Sequence, residues 1–412
     1  MLTEPRRPRA RLIAAAALAA VASAGLAVTA VPARAAPADR VRNAQSWVLN
    51  MLDAQDAWKV NQGAGVTVAV IDSGVNPSVS DLAGSVITGP DLTGVDTPSS
   101  DPHWGVHGTW MASLIAGHGH AGGSSGILGL APKAKVLSIR VITDRGDPGY
   151  RRYQHEPTAR VQRSLAVAIK YAVKRRVSVI SMSVGYGEAS RPVRSALQDA
   201  YNHNVVVLAS AGNSGGPAAS HAPYSFPADY PGVISVAAVN QAGTTAKFSS
   251  DNLSVQLAAP GVNVPAQGRD GAYWLVSGTS PACALTAGVA ALIKAAYPRL
   301  AAPLVALALS TSTRNRPPGG YNQDVGFGTV DAAAALAAAR QLSAGPPARA
   351  GLAAALHFGG GKAAVSRPPS FKGSSATLIG FGVLALGSLT LTVIALARFI
   401  TLRRLRTRRG AR

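Results

Sequence analysis

The sequence predicts an α/β protein in which a parallel sheet is covered by helices on both faces. Between residues 63 and 341, short runs of apolar residues alternate with longer segments in which apolar residues recur at helical spacing. Strands that are apolar throughout are typical of a sheet buried on both sides. In such sheets the loops that follow the strands carry function.

The individual elements follow from the same pattern, since apolar runs of this length fit strands and longer periodic segments fit helices. Strands are predicted at residues 66–71, 135–142, 177–184 and 205–209. Helices are predicted at residues 164–174 and 194–203, and a long apolar helix at residues 282–296.

Composition and charge narrow the function classes. Hydrophobic residues make up 47% of the 412 residues and charged residues 14%, which is ample apolar material for a packed core. The net charge is +21, of which +4 lies in the first 35 residues and +7 in the last 15, beside apolar segments where basic residues set membrane orientation. A basic tail that binds nucleic acid is the alternative, and we predict no nucleic-acid partner.

The single cysteine, Cys283, excludes an intrachain disulfide, and its place in an apolar helix predicts an inert buried thiol.

The N-terminus is typical of a secretory signal peptide. Four arginines within residues 6–11 are followed by an uncharged apolar run and by small residues around Ala35, so residues 1–35 are predicted to be removed. The apolar run is long for a signal peptide, and an uncleaved anchor is the alternative. Residues 36–62 are predicted to be an N-terminal extension that stays attached, with Trp47 and Trp58 packed on the body.

The C-terminus predicts a membrane anchor. Residues 376–397 carry no charge and are long enough to cross a hydrocarbon core of about 30 Å. Residues 398–412 hold seven arginines, so this tail is predicted to stay in the cytoplasm. Residues 342–375 are rich in Ala, Gly, Pro and Ser and are predicted to be a stalk. We therefore expect a single-pass protein of the cell membrane with an extracellular body.

Side chains capable of chemistry follow the predicted strands. Asp72 ends the first strand, where a carboxylate needs a donor such as a histidine N–H; a turn or helix-capping aspartate is the alternative. His107 opens a helical stretch, and by itself it would be interpreted as a structural histidine. Ser280 precedes the long apolar helix, whose free N–H groups and dipole favour developing negative charge. An ordinary serine N-cap is the alternative for Ser280.

Asn213 follows the strand predicted at residues 205–209. Its side-chain amide can donate a hydrogen bond to an oxyanion, whereas a plain Asn-Ser-Gly turn is the alternative. Asp72, His107 and Ser280 also occur in the chain order of the subtilisin form of the Ser-His-Asp triad. The four residues together are therefore more specific than any one of them.

These residues lie in segments that resemble the signature blocks of the subtilase (subtilisin-like) family. The blocks read VAVIDSGV, HGTWMA, ASAGNSGG and SGTSPACALTAGVAAL, in chain order. The resemblance extends over roughly residues 63–335, about two-thirds of the chain. It implies a three-layer subtilisin-like α/β fold and a serine endopeptidase that acts on a polypeptide substrate.

The resemblance also implies a role for each residue. Ser280 attacks the peptide carbonyl, His107 takes and then returns its proton, and Asp72 orients the imidazole. Asn213 and the Ser280 N–H hold the oxyanion. The segment that pairs with an extended substrate is formed by Ser183, Val184 and Gly185.

The whole architecture, from signal peptide to basic tail, resembles the mycosins, membrane-anchored subtilases associated with type VII secretion in actinobacteria. This resemblance implies secretion-machinery membrane proteins as partners. A structural subunit of a membrane secretion complex with little turnover, or a general surface protease, are the alternatives. Two positions depart from the subtilase pattern: Ala284 stands where a proline is usual, and the bulky Trp110 follows His-Gly-Thr.

No metal site and no cofactor are predicted. His118 and His120 suggest a metal pair, but no carboxylate or cysteine cluster accompanies them, and exposed loop histidines are the preferred interpretation. No Asp-rich loop of calcium-binding spacing occurs in the sequence. Residues 143–163 are predicted to be an irregular loop at the site edge, where Arg151 and Arg152 help to select an acidic substrate or partner. A solvated surface loop is the alternative.

Overall fold

A computed structural model of the chain describes residues 31–32, 38–216 and 221–345. The predicted transmembrane helix at residues 376–397 and the basic tail at residues 398–412 lie outside the described residues, as do most of the predicted signal peptide and of the stalk.

Strands and helices alternate through the described part of the chain. The strands are β1 Val31–Pro32, β2 Thr67–Asp72, β3 Val86–Asp91, β4 His118–His120, β5 Ser125–Leu128, β6 Lys135–Arg140, β7 Val179–Met182, β8 Val206–Ser210, β9 Val233–Val239, β10 Val255–Pro260, β11 Val264–Gln267 and β12 Tyr273–Val276. The helices are α1 Ala38–Met51, α2 Ala54–Val60, α3 Val106–Ala116, α4 Tyr150–Gln154, α5 Thr158–Lys174, α6 Arg191–Asn202, α7 Thr279–Ala296, α8 Ala302–Thr311 and α9 Ala332–Ser343.

The central sheet has seven strands in the order β10-β9-β8-β7-β2-β6-β3, and every neighbouring pair is parallel. Two smaller antiparallel sheets, β1-β12-β11 and β4-β5, lie outside it. The predicted parallel sheet is thus confirmed.

Strand β2 shows why the sheet has helices on both faces. Val68 and Val70 belong to the core that contains α3 and α7, whereas Ala69 and Ile71 belong to the core that contains α5 and α6. Successive side chains of a strand point to opposite faces, so an all-apolar strand requires an apolar layer on each side. The predicted three-layer fold is confirmed.

The N-terminal extension packs against this domain. The Trp58 indole N–H donates to the Leu130 carbonyl at 2.8 Å, and Trp47 lies against the core under α3 and α7. Gln45, on α1, also binds the backbone of Leu128 at the end of β5. The predicted packing of the two tryptophans is confirmed.

Two local predictions are wrong. His118 and His120 are not loop residues, since they form strand β4, which pairs with β5. Residues 143–163 are not irregular throughout, because α4 and the first turns of α5 lie within them. Pro157 precedes α5, and Val161 is buried on its inner face, so the helix begins earlier than the apolar spacing from residue 164 indicated.

Helix α7 is the one helix among the described residues that is long and apolar enough to cross a membrane. Its residues are almost all buried, however, since α7 runs through the core between the sheet and helices α3, α8 and α9. Its apolar composition is explained by this burial.

Candidate active site

Functional side chains meet at the carboxyl edge of the central sheet. Strand β2 lies between β6 and β7: the chain forms β3 and β6 on one side of it and then crosses to form β7 and β8 on the other. At such a switch point the loops after neighbouring strands separate and open a crevice. Asp72 ends β2, residues 183–185 follow β7, and Asn213 follows β8.

Asp72 and His107 form a buried pair. The His107 Nδ1 atom lies 2.8 Å from Asp72 Oδ1, with the two side chains 15% and 1% exposed. Because a carboxylate can only accept, the imidazole Nδ1 carries the proton and Nε2 is left as the basic nitrogen. Asp72 Oδ1 also accepts the Ser73 N–H at 2.7 Å. The predicted contact between the two residues is therefore present.

Two carboxylates, those of Asp72 and Asp144, lie close enough to affect the charge of the His107 ring. Burial alone would lower the pKa of His107, but the charge and hydrogen bond of Asp72 and the charge of Asp144 outweigh it and raise the pKa to about 9. The imidazolium is the species that forms when a nucleophile's proton is taken. The site therefore stabilises the charged form that the predicted base needs during catalysis.

Helix α3 brings His107 close to the end of β2 because its first turn contains a glycine, Gly108. A Cβ atom at Gly108 would lie 2.1 Å from the Gly74 carbonyl oxygen, so only glycine permits this approach of helix to strand end. Gly108 thus lets the start of α3 approach the loop that follows β2.

Ser280 occupies the first turn of α7 and is 8% exposed. Pro281 follows it, at a position where its missing N–H removes no helical hydrogen bond. Helix α7 packs on α3, so the helix of Ser280 and the helix of His107 are direct neighbours. Among the described residues, no hydrogen bond joins the Ser280 hydroxyl to the His107 ring; catalytic contacts of this kind often tighten only when substrate binds.

Asn213 is held beside the start of α7. Its Oδ1 atom accepts the Thr279 N–H at 2.9 Å and the Thr279 hydroxyl at 3.0 Å. With the oxygen engaged in this way, the Nδ2 group lies near Gly278, and among the described residues it donates no hydrogen bond. The structure thus places an amide donor next to the N-terminus that carries Ser280.

The segment Ser183, Val184 and Gly185 lies beyond Met182, the last residue of β7 that pairs with β2 and β8. Gly185 is exposed, and Tyr186 pairs with Phe226 in an isolated bridge. An extended strand end without a neighbour is suited to adding a substrate strand. Nearby, Tyr153 of α4 lies against Tyr186.

The two departures from the family pattern are accommodated. Ala284 is fully buried in a continuous α7. The Trp110 ring packs edge-on against His107, with ring centroids 6.3 Å apart. Cys283 is fully buried as predicted, and burial, together with the nearby charge of Asp72, raises the pKa of its thiol to about 12. The thiol is therefore protonated and unreactive.

Sequence reasoning missed Ser73 and Asp144. The Ser73 hydroxyl accepts the Gly108 N–H at 3.0 Å, and the Asp144 carboxylate accepts the Val106 N–H at 2.7 Å. Ser73 stands in the quoted block beside Asp72, which was a usable signal. Asp144 lies within residues 143–163, where the prediction from the sequence used only the arginines.

Metal ligands are not grouped in the part of the chain that the structure describes. No cluster of three or more His, Cys, Asp or Glu side chains lies there. His120 instead binds the buried Asp81, and His118 binds the carbonyl groups of Gly119 and Ala83.

Comparison with known proteins supports the same interpretation. The model of the Subtilase family matches residues 63–328. Thermitase from Thermoactinomyces vulgaris is 32% identical over 257 residues, which cover 62% of this chain and 85% of thermitase. Mycosin-1 from Mycobacterium tuberculosis is 34% identical over 334 residues, which cover 70% of this chain and 72% of mycosin-1.

Solved structures show the same similarity. The MycP3 protease from the type VII (ESX-3) secretion system matches with a TM-score of 0.60 and 29% identity, covering 70% of this chain and 87% of that one. MycP1 from Mycobacterium smegmatis matches with a TM-score of 0.59 and 29% identity, covering 70% and 84%. With the buried Asp–His pair beside the start of α7, these similarities identify the chain as a member of the Subtilase family, a subtilisin-like serine endopeptidase related to the mycosins.

Proposed function

We propose that this chain is a membrane-anchored endopeptidase that hydrolyses polypeptides through an acyl-enzyme, with Asp72, His107 and Ser280 as its catalytic triad. The observation that carries the proposal is the 2.8 Å contact between His107 Nδ1 and the buried Asp72. This contact leaves Nε2 as the base, on a helix that packs directly on the helix of Ser280.

The reaction proceeds in two halves. Ser280 Oγ bonds to the substrate carbonyl carbon while its proton passes to His107, and the oxyanion receives hydrogen bonds from Asn213 Nδ2 and the Ser280 N–H. His107 then gives the proton to the departing amine as the C–N bond breaks. Water repeats the sequence on the acyl-enzyme and releases the acid. Asp72 stays ionised and holds the ring throughout.

The substrate is proposed to bind as an extended strand along Ser183, Val184 and Gly185. Their position beyond the last paired residue of β7 supports this proposal. Backbone pairing of this kind gives affinity, and side-chain pockets give selectivity.

A fluorophosphonate probe tests the nucleophile directly in the full-length protein. We expect modification at Ser280 and none after Ser280→Ala. Ser277→Ala is the matched control, because Ser277 lies three residues earlier and its hydroxyl accepts a backbone N–H of Asn263; that variant should label normally. Absence of labelling in folded wild-type protein would favour a structural subunit of a secretion complex.

The proposed membrane arrangement has a signal peptide at residues 1–35, an extension at 36–62, the peptidase domain at 63–341 and a stalk at 342–375. A single span at residues 376–397 and a cytoplasmic tail at 398–412 follow. The uncharged stretch and the arginines after it support the orientation.

Protease added to intact cells should release the body, whose mass should include residues before Gly63. A protected body would reverse the topology, and a body that starts near Gly63 would show that the extension is removed.

We further propose that the enzyme acts with a type VII-like secretion system. The support is its similarity to MycP3, a protease from the type VII (ESX-3) secretion system. Cells carrying Ser280→Ala should accumulate uncleaved forms of secreted polypeptides, which mass spectrometry of the culture medium detects. Unchanged secreted masses would favour the alternatives of a structural role or general surface proteolysis.

A further inference from the structure

Helix α3 carries His107 but supplies no cap of its own. Its N-cap residue is Gly105, which has no side chain and a φ of 73°. The first N–H groups of any helix lack intrahelical acceptors, and when buried they need acceptors from elsewhere. The first intrahelical bond here is donated by Thr109 to the Gly105 carbonyl. Val106, His107 and Gly108 therefore depend on external acceptors.

Two side chains from other segments provide those acceptors. Asp144 Oδ2 accepts the Val106 N–H at 2.7 Å, and the Asp144 carboxylate also accepts the His107 N–H at 3.2 Å to Oδ1. The Ser73 hydroxyl accepts the Gly108 N–H at 3.0 Å. All three orphan donors at the start of α3 are thus bound by residues that follow β6 or β2.

We propose that Asp144 is a positioning residue for His107: its carboxylate caps the helix that carries the histidine and places a second negative charge beside the imidazole. The proposal rests on the role proposed above for His107 as the base. Asp72 fixes the ring through Nδ1, and Asp144 fixes the backbone of the same residue. The histidine is held at both ends.

The electrostatic part follows from the groups around the ring. Asp72 and Asp144 are the carboxylates that face His107, and Cys283 is a neutral thiol at neutral pH. Arg140, the last residue of β6, donates to the Ser73 carbonyl and is paired with Asp91 and Asp147. Burial raises the pKa of Asp144 to about 6, so its carboxylate is ionised over the alkaline range in which His107 titrates.

A catalytic base must be neutral to take a proton, so kcat/KM should rise with pH and level off above about pH 9, the pKa of His107. Asp144→Asn removes the charge but keeps an oxygen acceptor for the helix. Removing one nearby opposite charge should move the midpoint of this rise down by about one pH unit. At pH 10 the variant should retain most of the wild-type kcat.

Asp144→Ala removes the cap as well as the charge. We expect kcat at pH 10 to fall about tenfold with little change in KM, because loss of an N-cap costs on the order of 1 kcal/mol and disturbs the base rather than the substrate segment. Recovery of kcat in Asp144→Asn relative to Asp144→Ala separates the cap from the charge.

The control is Asp101→Asn. Asp101 also accepts a backbone N–H, that of His103 at 2.8 Å, but it does not contact His107. This variant should keep the wild-type pH profile. An equal shift in Asp101→Asn and Asp144→Asn would overturn the proposal, since the effect would then be one of net charge.

A readout independent of activity distinguishes this proposal from the triad itself. In full-length protein with ¹³C-labelled histidine, the His107 Cε1 signal is assigned by its loss in His107→Gln, and its titration midpoint should fall by about one pH unit in Asp144→Asn. Unchanged midpoints in both the signal and kcat/KM would overturn the role of Asp144. Failure of the fluorophosphonate to label Ser280 at any pH would instead overturn the proposed triad, while the NMR titration would still report on Asp144.

Discussion

Among the described residues, two aspartate–histidine pairs combine a buried carboxylate with nearly the same distance between Oδ1 and Nδ1. Asp72 Oδ1 lies 2.8 Å from His107 Nδ1, and Asp81 Oδ1 lies 2.7 Å from His120 Nδ1. The carboxylates are 1% and 0% exposed. Distance and burial of the aspartate therefore do not distinguish the two pairs.

The two carboxylates differ in the hydrogen bonds that their Oδ2 atoms accept. Asp81 Oδ2 accepts the Ile127 N–H at 2.7 Å, so this carboxylate ties the β4-β5 hairpin to the body. Asp72 Oδ2 is buried without a hydrogen-bond partner among the described residues. The hydrogen bonds of Asp72 are made by Oδ1, which faces the His107 ring and the Ser73 N–H. His107 also lies on α3, which packs on the helix that carries Ser280, whereas His120 lies in the β4-β5 hairpin.

The largest difference between the pairs should appear in activity. Asp72→Asn should lower kcat/KM about 10⁴-fold, because an amide does not hold the imidazole in the tautomer with the proton on Nδ1. Asp81→Asn should leave kcat/KM nearly unchanged. Both are measured on a peptide substrate at pH 9–10, with far-UV circular dichroism as the check of folding. Equal losses in the two variants would mean that the second pair also supports the site.

The next effect concerns the oxyanion. Asn213→Asp keeps the Oδ1 atom that accepts from Thr279 but replaces the Nδ2 donor, so kcat should fall about 10²–10³-fold with little change in KM. Steady-state kinetics check this prediction. A variant with wild-type kcat would show that Asn213 only anchors α7.

In stability the order of the pairs should reverse. Asp81→Asn weakens the bonds to Ile127 and His120 in a fully buried position, and it should cost about 1–3 kcal/mol of unfolding free energy. Asp72→Asn should cost less, since Asp72 has fewer partners to lose. Thermal melts of the two variants, with His120→Gln as the control, make the comparison. A larger loss for Asp72→Asn would contradict it.

The smallest effect is expected at the rim of the site. Arg151 and Arg152 are exposed on α4, whose Tyr153 lies against Tyr186 next to the proposed substrate segment. Replacing both arginines by Glu should raise KM a fewfold for an acidic substrate, because interactions between exposed charges contribute about 1 kcal/mol or less. Fluorophosphonate labelling should stay intact. Unchanged cleavage of acidic and neutral peptides alike would indicate a merely solvated helix.

The fold and the positions of Asp72 and Ser280 within it were predictable because their signals are local. Strand β2 is an apolar run that ends in Asp72, and Ser280-Pro281 marks the start of an apolar helix. Each signal spans a few residues and follows from periodicity or from helix-end chemistry.

The Asp81–His120 pair and the capping of α3 by Asp144 were not predictable from such local signals. Asp81 and His120 are 39 residues apart, and Asp144 and His107 are 37 apart, so only the tertiary fold brings them together. Helix α4 was missed because Pro148 and Gly149 precede it and its arginines show no apolar period. A helix of five residues also has little intrinsic stability and leaves only a weak signal in the sequence.

The buried thiol of Cys283 can report local opening of the native structure. It is the only cysteine in the sequence, and its sulfur lies 3.8 Å from both the Ser181 hydroxyl and the Met182 carbonyl, between α7 and strand β7. A thiol reagent reaches it only when the helix that carries Ser280 separates from the sheet. The rate at which the reagent modifies Cys283 therefore measures how often that separation occurs in the native state, and no engineered cysteine is needed.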